Sequence, residues 1–263
     1  MGFIRGGLFV IASVLLALFF LFGNAFLTLG LSLDYDNVQP ELVSVVKDLT
    51  EDNLNLEQEI EEKFESMELH CENNSEFVFS YESGQTFVIP CDIISEGLDA
   101  VVEYGINSFV EEIYYKDYDC DFWDCLGKEE VPFFLVSEKA RDYWNNKFCF
   151  LLIVSVILIA LMFFLVEQKS HLFFVVGSLL AISALPFMKI NWALSFLDTS
   201  FLQFFTIFFV KAYVVFLISF SLGIILLMIG FVLKLLEVGF KISRFFERFK
   251  KKTDEKKFSE KSK

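Results

Sequence analysis

Asp117, Asp119, Asp121 and Asp124 place four carboxylates within eight residues, the last two in a loop that a Cys120–Cys125 bridge would close. Flexible, oxygen-rich loops of this kind hold Ca2+, with alternate carboxylates as the first ligands. The order begins as an EF-hand loop does and then departs from it. Phe122 stands where the sharp turn needs Gly, and Lys128 stands where a bidentate Glu closes the shell. The plainer reading is a solvated acidic loop with Phe122 and Trp123 turned toward protein or bilayer. Ca2+ is the one cofactor these residues allow, and nothing in the sequence requires it.

Other chemistry-bearing residues are sparse. The chain has 2 His, His70 and His171, and neither sits in an HExxH, GxSxG, P-loop or CxxC pattern. Zinc lacks a ligand set once Cys71, Cys91, Cys120 and Cys125 are oxidised. Residues 34–146 hold 29 Asp/Glu against 6 Lys/Arg. A hydrolytic carboxylate pair cannot be singled out from so many acids without geometry. Asn73-Asn74-Ser75 is an acceptor sequon for glycosylation. The expectation is therefore a non-enzymatic protein, with a hydrolase using these carboxylates as a distant alternative.

The elements that must carry these residues follow from hydropathy. Of the 263 residues 55% are hydrophobic, and mean hydropathy is +0.53, more apolar than globular chains run. Four stretches are nearly free of charge: Phe3–Leu33, Phe148–Val166, Leu172–Met188 and Phe201–Leu233. Crossing ~30 Å of hydrocarbon takes about 20 apolar residues in a helix, so each stretch is expected to span a membrane. Residues 234–263 carry 11 Lys/Arg against 5 Asp/Glu, which the positive-inside rule keeps in the cytoplasm. Four crossings return the N-terminus there too. The acidic segment 34–147 then lies outside, and the plasma membrane is the expected location. Tyr143, Trp144 and Trp192 fall at the outer interface, where aromatic residues collect. Gly23-Asn24-Ala25 also fits the cleavage site of a signal peptide, although the apolar run continues past it to Leu33.

The expected organisation is span 1 over 1–33, the acidic segment over 34–147, spans 2–4 over 148–236 and a basic tail over 237–263. Within the acidic segment, Pro40 suits a first helical turn. Leu42, Val45, Val46, Leu49, Leu56, Ile60, Phe64 and Met67 then form one helical stripe ending near Leu69. Phe77–Tyr81 and Gln85–Ile89 are β-prone runs joined by a turn at Gly84. Cys71 and Cys91 flank that hairpin, which favours Cys71–Cys91 and leaves Cys120–Cys125 among the three pairings four cysteines allow. A second amphipathic helix runs from Ile94 to Ile113, Val131–Val136 is a short strand or loop, and Ser137 caps a helix leading into span 2. The fold class is a mainly α membrane protein with four transmembrane helices. A disulfide-stabilised α-β-β-α domain is inserted between the first two.

Four spans with a disulfide-bearing outer segment resemble tetraspanins and claudins in outline. The segment lies between the first two spans, without the Cys-Cys-Gly motif of the former or the signature Trp and paired cysteines of the latter. No family follows from the resemblance. Gly177 and Ala181, and Ser219 and Gly223, sit four apart and would let helices approach closely or dock a partner helix. Lys189 and Lys211 near span ends leave a transporter or channel component as the rival reading. In the tail, Lys241, Arg244, Arg248, Lys250, Lys251 and Lys252 surround an apolar face at Val238, Ile242, Phe245, Phe246 and Phe249. That pattern fits an amphipathic helix on the anionic inner leaflet and not a nucleic-acid module. The acidic segment favours a cationic protein partner outside, with Phe122, Trp123, Tyr114 and Tyr115 as its aromatic anchors.

Overall fold

The computed structural model describes residues 3–53, 56–80, 86–127, 131–190 and 206–261. For residues 3, 45–53, 56–59, 80, 87, 131–132 and 238–261 the description covers the backbone alone. The fold is mainly helical, and 4 helices are long and apolar enough to cross a membrane: Ile4–Ser32, Glu138–Leu165, Lys169–Met188 and Ile207–Glu237. These overlap the four apolar stretches of the sequence, the second starting ten residues earlier, at Glu138; residues 201–205 lie outside the described residues. The element order is α1 (Phe3–Ser32), α2 (Tyr35–Asn53), α3 (Leu56–Cys71), β1 (Glu76–Ser80), β2 (Thr86–Pro90), α4 (Cys91–Glu96) and α5 (Leu98–Tyr115). There follow α6 (Phe122–Cys125), α7 (Val131–Phe134), α8 (Glu138–Leu165), α9 (Lys169–Ala184) and α10 (Ala212–Lys261).

The chain divides into two compact units. The first comprises Met1–Ala25, Phe148–Lys189 and Tyr213–Lys263. Its apolar centre is Leu16, Met162, Leu172 and Val176. Outward faces remain apolar: Ile4, Phe150, Phe164 and Ile225 are exposed, as lipid-facing side chains must be. Small residues set the approach of α9 to α10. A Cβ placed on Gly177 would fall 2.8 Å from the Gly223 carbonyl oxygen and 2.9 Å from the Leu227 amide nitrogen. One on Gly223 would meet the Ala181 amide nitrogen at 2.9 Å. Backbone atoms cannot give way there, so the crossing exists only because neither residue has a side chain. The small residues picked out by spacing therefore pack helix against helix within the chain.

The second unit comprises Phe26–Lys147 and Ile190–Ala212. Its hairpin is antiparallel, with Phe77 opposite Ile89, Val78 opposite Val88 and Phe79 opposite Phe87. Period-two alternation follows: Phe79 and Ile89 are buried, Val78 and Val88 exposed. The Cys91 amide extends the ladder to the Ser75 carbonyl at 3.0 Å, and the turn residues 81–85 lie outside the described residues. Cys71–Cys91 and Cys120–Cys125 are bridged, with Cα–Cα distances of 5.5 and 5.6 Å, the pairing the hairpin favoured.

Four expectations need correction. Pro40 lies inside α2, which begins a turn earlier at Tyr35, because the Asp34 carbonyl already accepts the Asn37 and Val38 amides. The single stripe from Leu42 to Met67 serves two cores. Leu42 packs with Val38, Ile106 and Val110, whereas Ile60 and Met67 pack with Phe79, Ile89 and Ile94. The second amphipathic helix is broken at Gly97, whose φ of 114° and ψ of 177° fall in a region open essentially to glycine alone. Val131–Phe134 is a helical turn and not a strand. Ser137 does cap α8: its Oγ accepts the Ala140 amide at 3.3 Å and its carbonyl the Arg141 amide at 3.1 Å.

The helix crossing yields a paired expectation. Gly223→Ala should lower the stability of the detergent-purified protein by about 1–3 kcal/mol through overpacking. Gly23→Ala has open space around it and should hold or raise stability by up to about 1 kcal/mol, since Ala is the better helix former. Thermal unfolding of both variants checks this, and equal losses at the two sites would contradict the crossing.

Candidate functional site

The last carbonyls of a helix lack partners within it, and the end of α1 finds them in side chains. The Asn37 side-chain amide donates to the Leu31 carbonyl at 2.9 Å, and the Tyr114 hydroxyl donates to the Leu33 carbonyl at 2.9 Å. Tyr114 comes from α5 and is fully buried. Its hydroxyl also receives Arg141 Nη1 at 3.3 Å. The same guanidinium pairs with Asp34 at 3.5 Å and with Glu138 and Asp142 at 2.9 Å. One arginine at the start of α8 thus ties together the α1–α2 turn and α5. Burial pushes the Tyr114 phenol up to about 12, against the pull of Arg141 and with Asp34 and Glu138 adding to the rise. Gly30 lies so close to the Asn145 side chain that any Cβ there would collide with it. This joint is a structural device. It holds no nucleophile beside a base.

The face of α3 is built differently. Ile60 and Met67 are buried in the core under the hairpin. Glu61, Glu62, Glu65, Glu68 and Glu72 are exposed. A shallow groove of about 470 Å3 is lined by Glu62, Glu65, Ser66, Glu68, Leu69 and Glu72. These residues are three and four apart, so they share one helix face. Leu69 is 69% exposed within that ring of carboxylates, and the Cys71–Cys91 bridge fixes the last turn of the helix. Periodicity gave no reason to notice Leu69, which reads as the end of the apolar stripe. A second groove of about 550 Å3 has Phe109, Tyr115, Tyr118 and Phe133 on its walls, with Glu112 and Lys116 at its edge.

The remaining sequence candidates separate. Asp117, Asp119, Asp121 and Asp124 are all exposed, and among the described residues no three His, Cys, Asp or Glu side chains gather as metal ligands. Phe122 and Tyr114 are buried in the core that includes Leu33 and Phe134. Trp123 and Tyr115 stay exposed. Asn73 is exposed just after α3. The side chains of Lys241, Arg244, Arg248, Lys250, Lys251 and Lys252 lie outside the described residues, although their backbone continues α10. Lys211 immediately precedes α10, and its amide donates to Ser32 Oγ at 3.0 Å.

One polar cluster escaped the sequence reading. In the first unit, Asn24 of α1 donates to Ser183 Oγ of α9 at 3.3 Å and accepts from Ser219 Oγ of α10 at 2.6 Å. Ser183 donates onward to the Leu180 carbonyl at 2.9 Å. All three are buried, and their hydrogen bonds join α1, α9 and α10. No protein-family model matches the chain, and neither a curated protein nor a solved structure matches it.

Tyr114→Phe leaves the buried Leu33 carbonyl without its donor, which should cost about 1–3 kcal/mol. The pH dependence has a definite sign. Between the ordinary value of 10.0 and about 12 the unfolded chain has lost the phenol proton and the folded protein keeps it, so stability falls as pH rises. Denaturant unfolding in detergent from neutral to strongly alkaline pH should show a smaller alkaline loss in the Phe variant. Identical alkaline slopes would contradict the buried phenol.

Proposed function

We propose that this chain is a non-enzymatic, multi-pass protein of the cell envelope. In this reading it sits in the plasma membrane with both termini cytoplasmic. Its segment 34–147 is a disulfide-stabilised α-β-β-α domain inserted between the first two spans and held outside the cytoplasm. The domain binds a cationic protein through the exposed face of α3. The observation that carries the reading is Leu69, 69% exposed and ringed by Glu62, Glu65, Glu68 and Glu72.

Physical chemistry supports each part. A segment with 29 Asp/Glu and 6 Lys/Arg creates a negative field that attracts cationic surfaces and repels anionic ones. Complementary charge at a rim sets association rate and register, while an apolar anchor at the centre supplies the desolvated contact. A basic amphipathic partner segment meets both requirements. Disulfides persist in oxidising compartments, which favours the outside for the two bridges. On the other side of the bilayer, the Lys- and Arg-rich tail is placed to meet anionic headgroups.

Full-length protein in neutral lipid vesicles, titrated with an amphipathic Lys/Leu peptide, tests the face directly. Glu65→Lys with Glu68→Lys should weaken binding about tenfold, about 1.4 kcal/mol, and flatten its salt dependence. Reversing Asp117 and Asp119 instead should change it little. Equal losses from both pairs would leave a diffuse field and no α3 site.

A further inference from the structure

The loop closed by Cys120 and Cys125 treats its two aromatic residues in opposite ways. Phe122 is 6% exposed and Trp123 is 68% exposed. Phe122 lies face to face with Tyr143 of α8, ring centroids 3.9 Å apart and planes 6° from parallel. It also meets Trp144 at 5.2 Å and Phe134 at 5.4 Å. Cys125 is buried and bridged back to Cys120. The loop is thereby pinned on both sides of Trp123, and the indole cannot fold back into the core already filled by Phe122. Its ring sits edge-on to Tyr143, with centroids 6.4 Å apart.

Tyr143 fixes the depth at which this indole is displayed. Phe148, where the uncharged run of α8 starts, is five residues further on, or about 7–8 Å along the helix axis at ~1.5 Å per residue. Beyond it Phe150 and Ile153 are exposed, as a lipid-facing surface requires. Lys147 places its ammonium 5.2 Å from the centre of the Tyr143 ring. Tyr143, Trp144, Lys147 and Trp123 together form the set of side chains that collects between hydrocarbon and water.

We propose that the Cys120–Cys125 loop seats Trp123 in the headgroup layer of the bilayer, as a second anchor beside α8. The occupant of this surface is lipid, because Tyr143, which the indole meets edge-on, belongs to α8, a helix long and apolar enough to cross a membrane. The exposed Asp121 and Asp124 on either side set a limit on depth. Carboxylates resist entry into hydrocarbon, so the indole rests at the interface and does not reach the acyl chains' interior. The seat is the same whichever side of the bilayer the loop occupies, and it is independent of any partner at α3.

Tryptophan fluorescence of the full chain in phosphatidylcholine vesicles tests this. The wild type and Trp123→Ala are compared in vesicles brominated near the headgroups, brominated near the chain ends, or unbrominated. Trp123 is exposed, so its removal leaves the core intact, and the difference spectrum isolates its emission. The expected result is a blue-shifted difference spectrum that loses most intensity with headgroup-proximal bromine and resists aqueous iodide. A variant keeping Trp123 alone, Trp144→Phe with Trp192→Phe, should behave alike. A difference spectrum quenched by iodide and unchanged by either brominated lipid overturns the proposal and leaves Trp123 as a surface for a protein partner. Stronger quenching from the chain ends also overturns the proposed depth.

Discussion

Hydrocarbon offers no hydrogen-bond partner, and the four long apolar helices of this chain answer that constraint. An unpaired backbone amide or carbonyl in lipid costs several kcal/mol, so each long apolar stretch becomes a helix that satisfies its own backbone. What the helices cannot satisfy alone they must share. Asn24, Ser183 and Ser219 close on one another inside the first unit, and the glycines at 177 and 223 bring backbones into direct contact. Neither device relies on the hydrophobic effect, which vanishes between two apolar surfaces already in lipid.

The same demand recurs at the end of α1, where the chain leaves its apolar stretch. The terminal carbonyls are met by Asn37 and Tyr114, and the Tyr114 hydroxyl is braced by Arg141. The acidic segment then solves a different problem. With so many carboxylates on its surface it buries two separate apolar clusters, one under the hairpin and one around Tyr114 and Phe134. The Cys71–Cys91 bridge borders the first and Cys120–Cys125 the second. A bridge chiefly restricts the unfolded chain and contributes about 2–4 kcal/mol, a large share for a small core.

Much of this was legible in the residues. Long runs almost without charge locate the four long helices, alternation locates the hairpin, and flanking position pairs the cysteines. Ser137 was readable as a cap because its side chain can accept an amide that the helix leaves unpaired. The rest depended on tertiary context. Helical periodicity says which residues share a face and not which core that face meets, so the Leu42–Met67 stripe looked single. Apolar spacing also runs on through Ile94, Leu98 and Val101, which conceals the break at Gly97. Phe122 and Trp123 are neighbours of like composition, and only packing against Tyr143 decides which is core. The exposure of Leu69 among the acids of α3 was not legible, since a leucine at the end of an apolar stripe normally points inward.

The account rests on the proposed separation of charge across the bilayer, with the acidic segment outside and the Lys-rich end inside. Epitope tags placed at the exposed turn beside Asn73 and after Lys263, probed by antibody on intact and then permeabilised cells, measure it directly. The account predicts that the Asn73 tag is bound on intact cells and the C-terminal tag only after permeabilisation. The reverse pattern, or both tags hidden until permeabilisation, would contradict it.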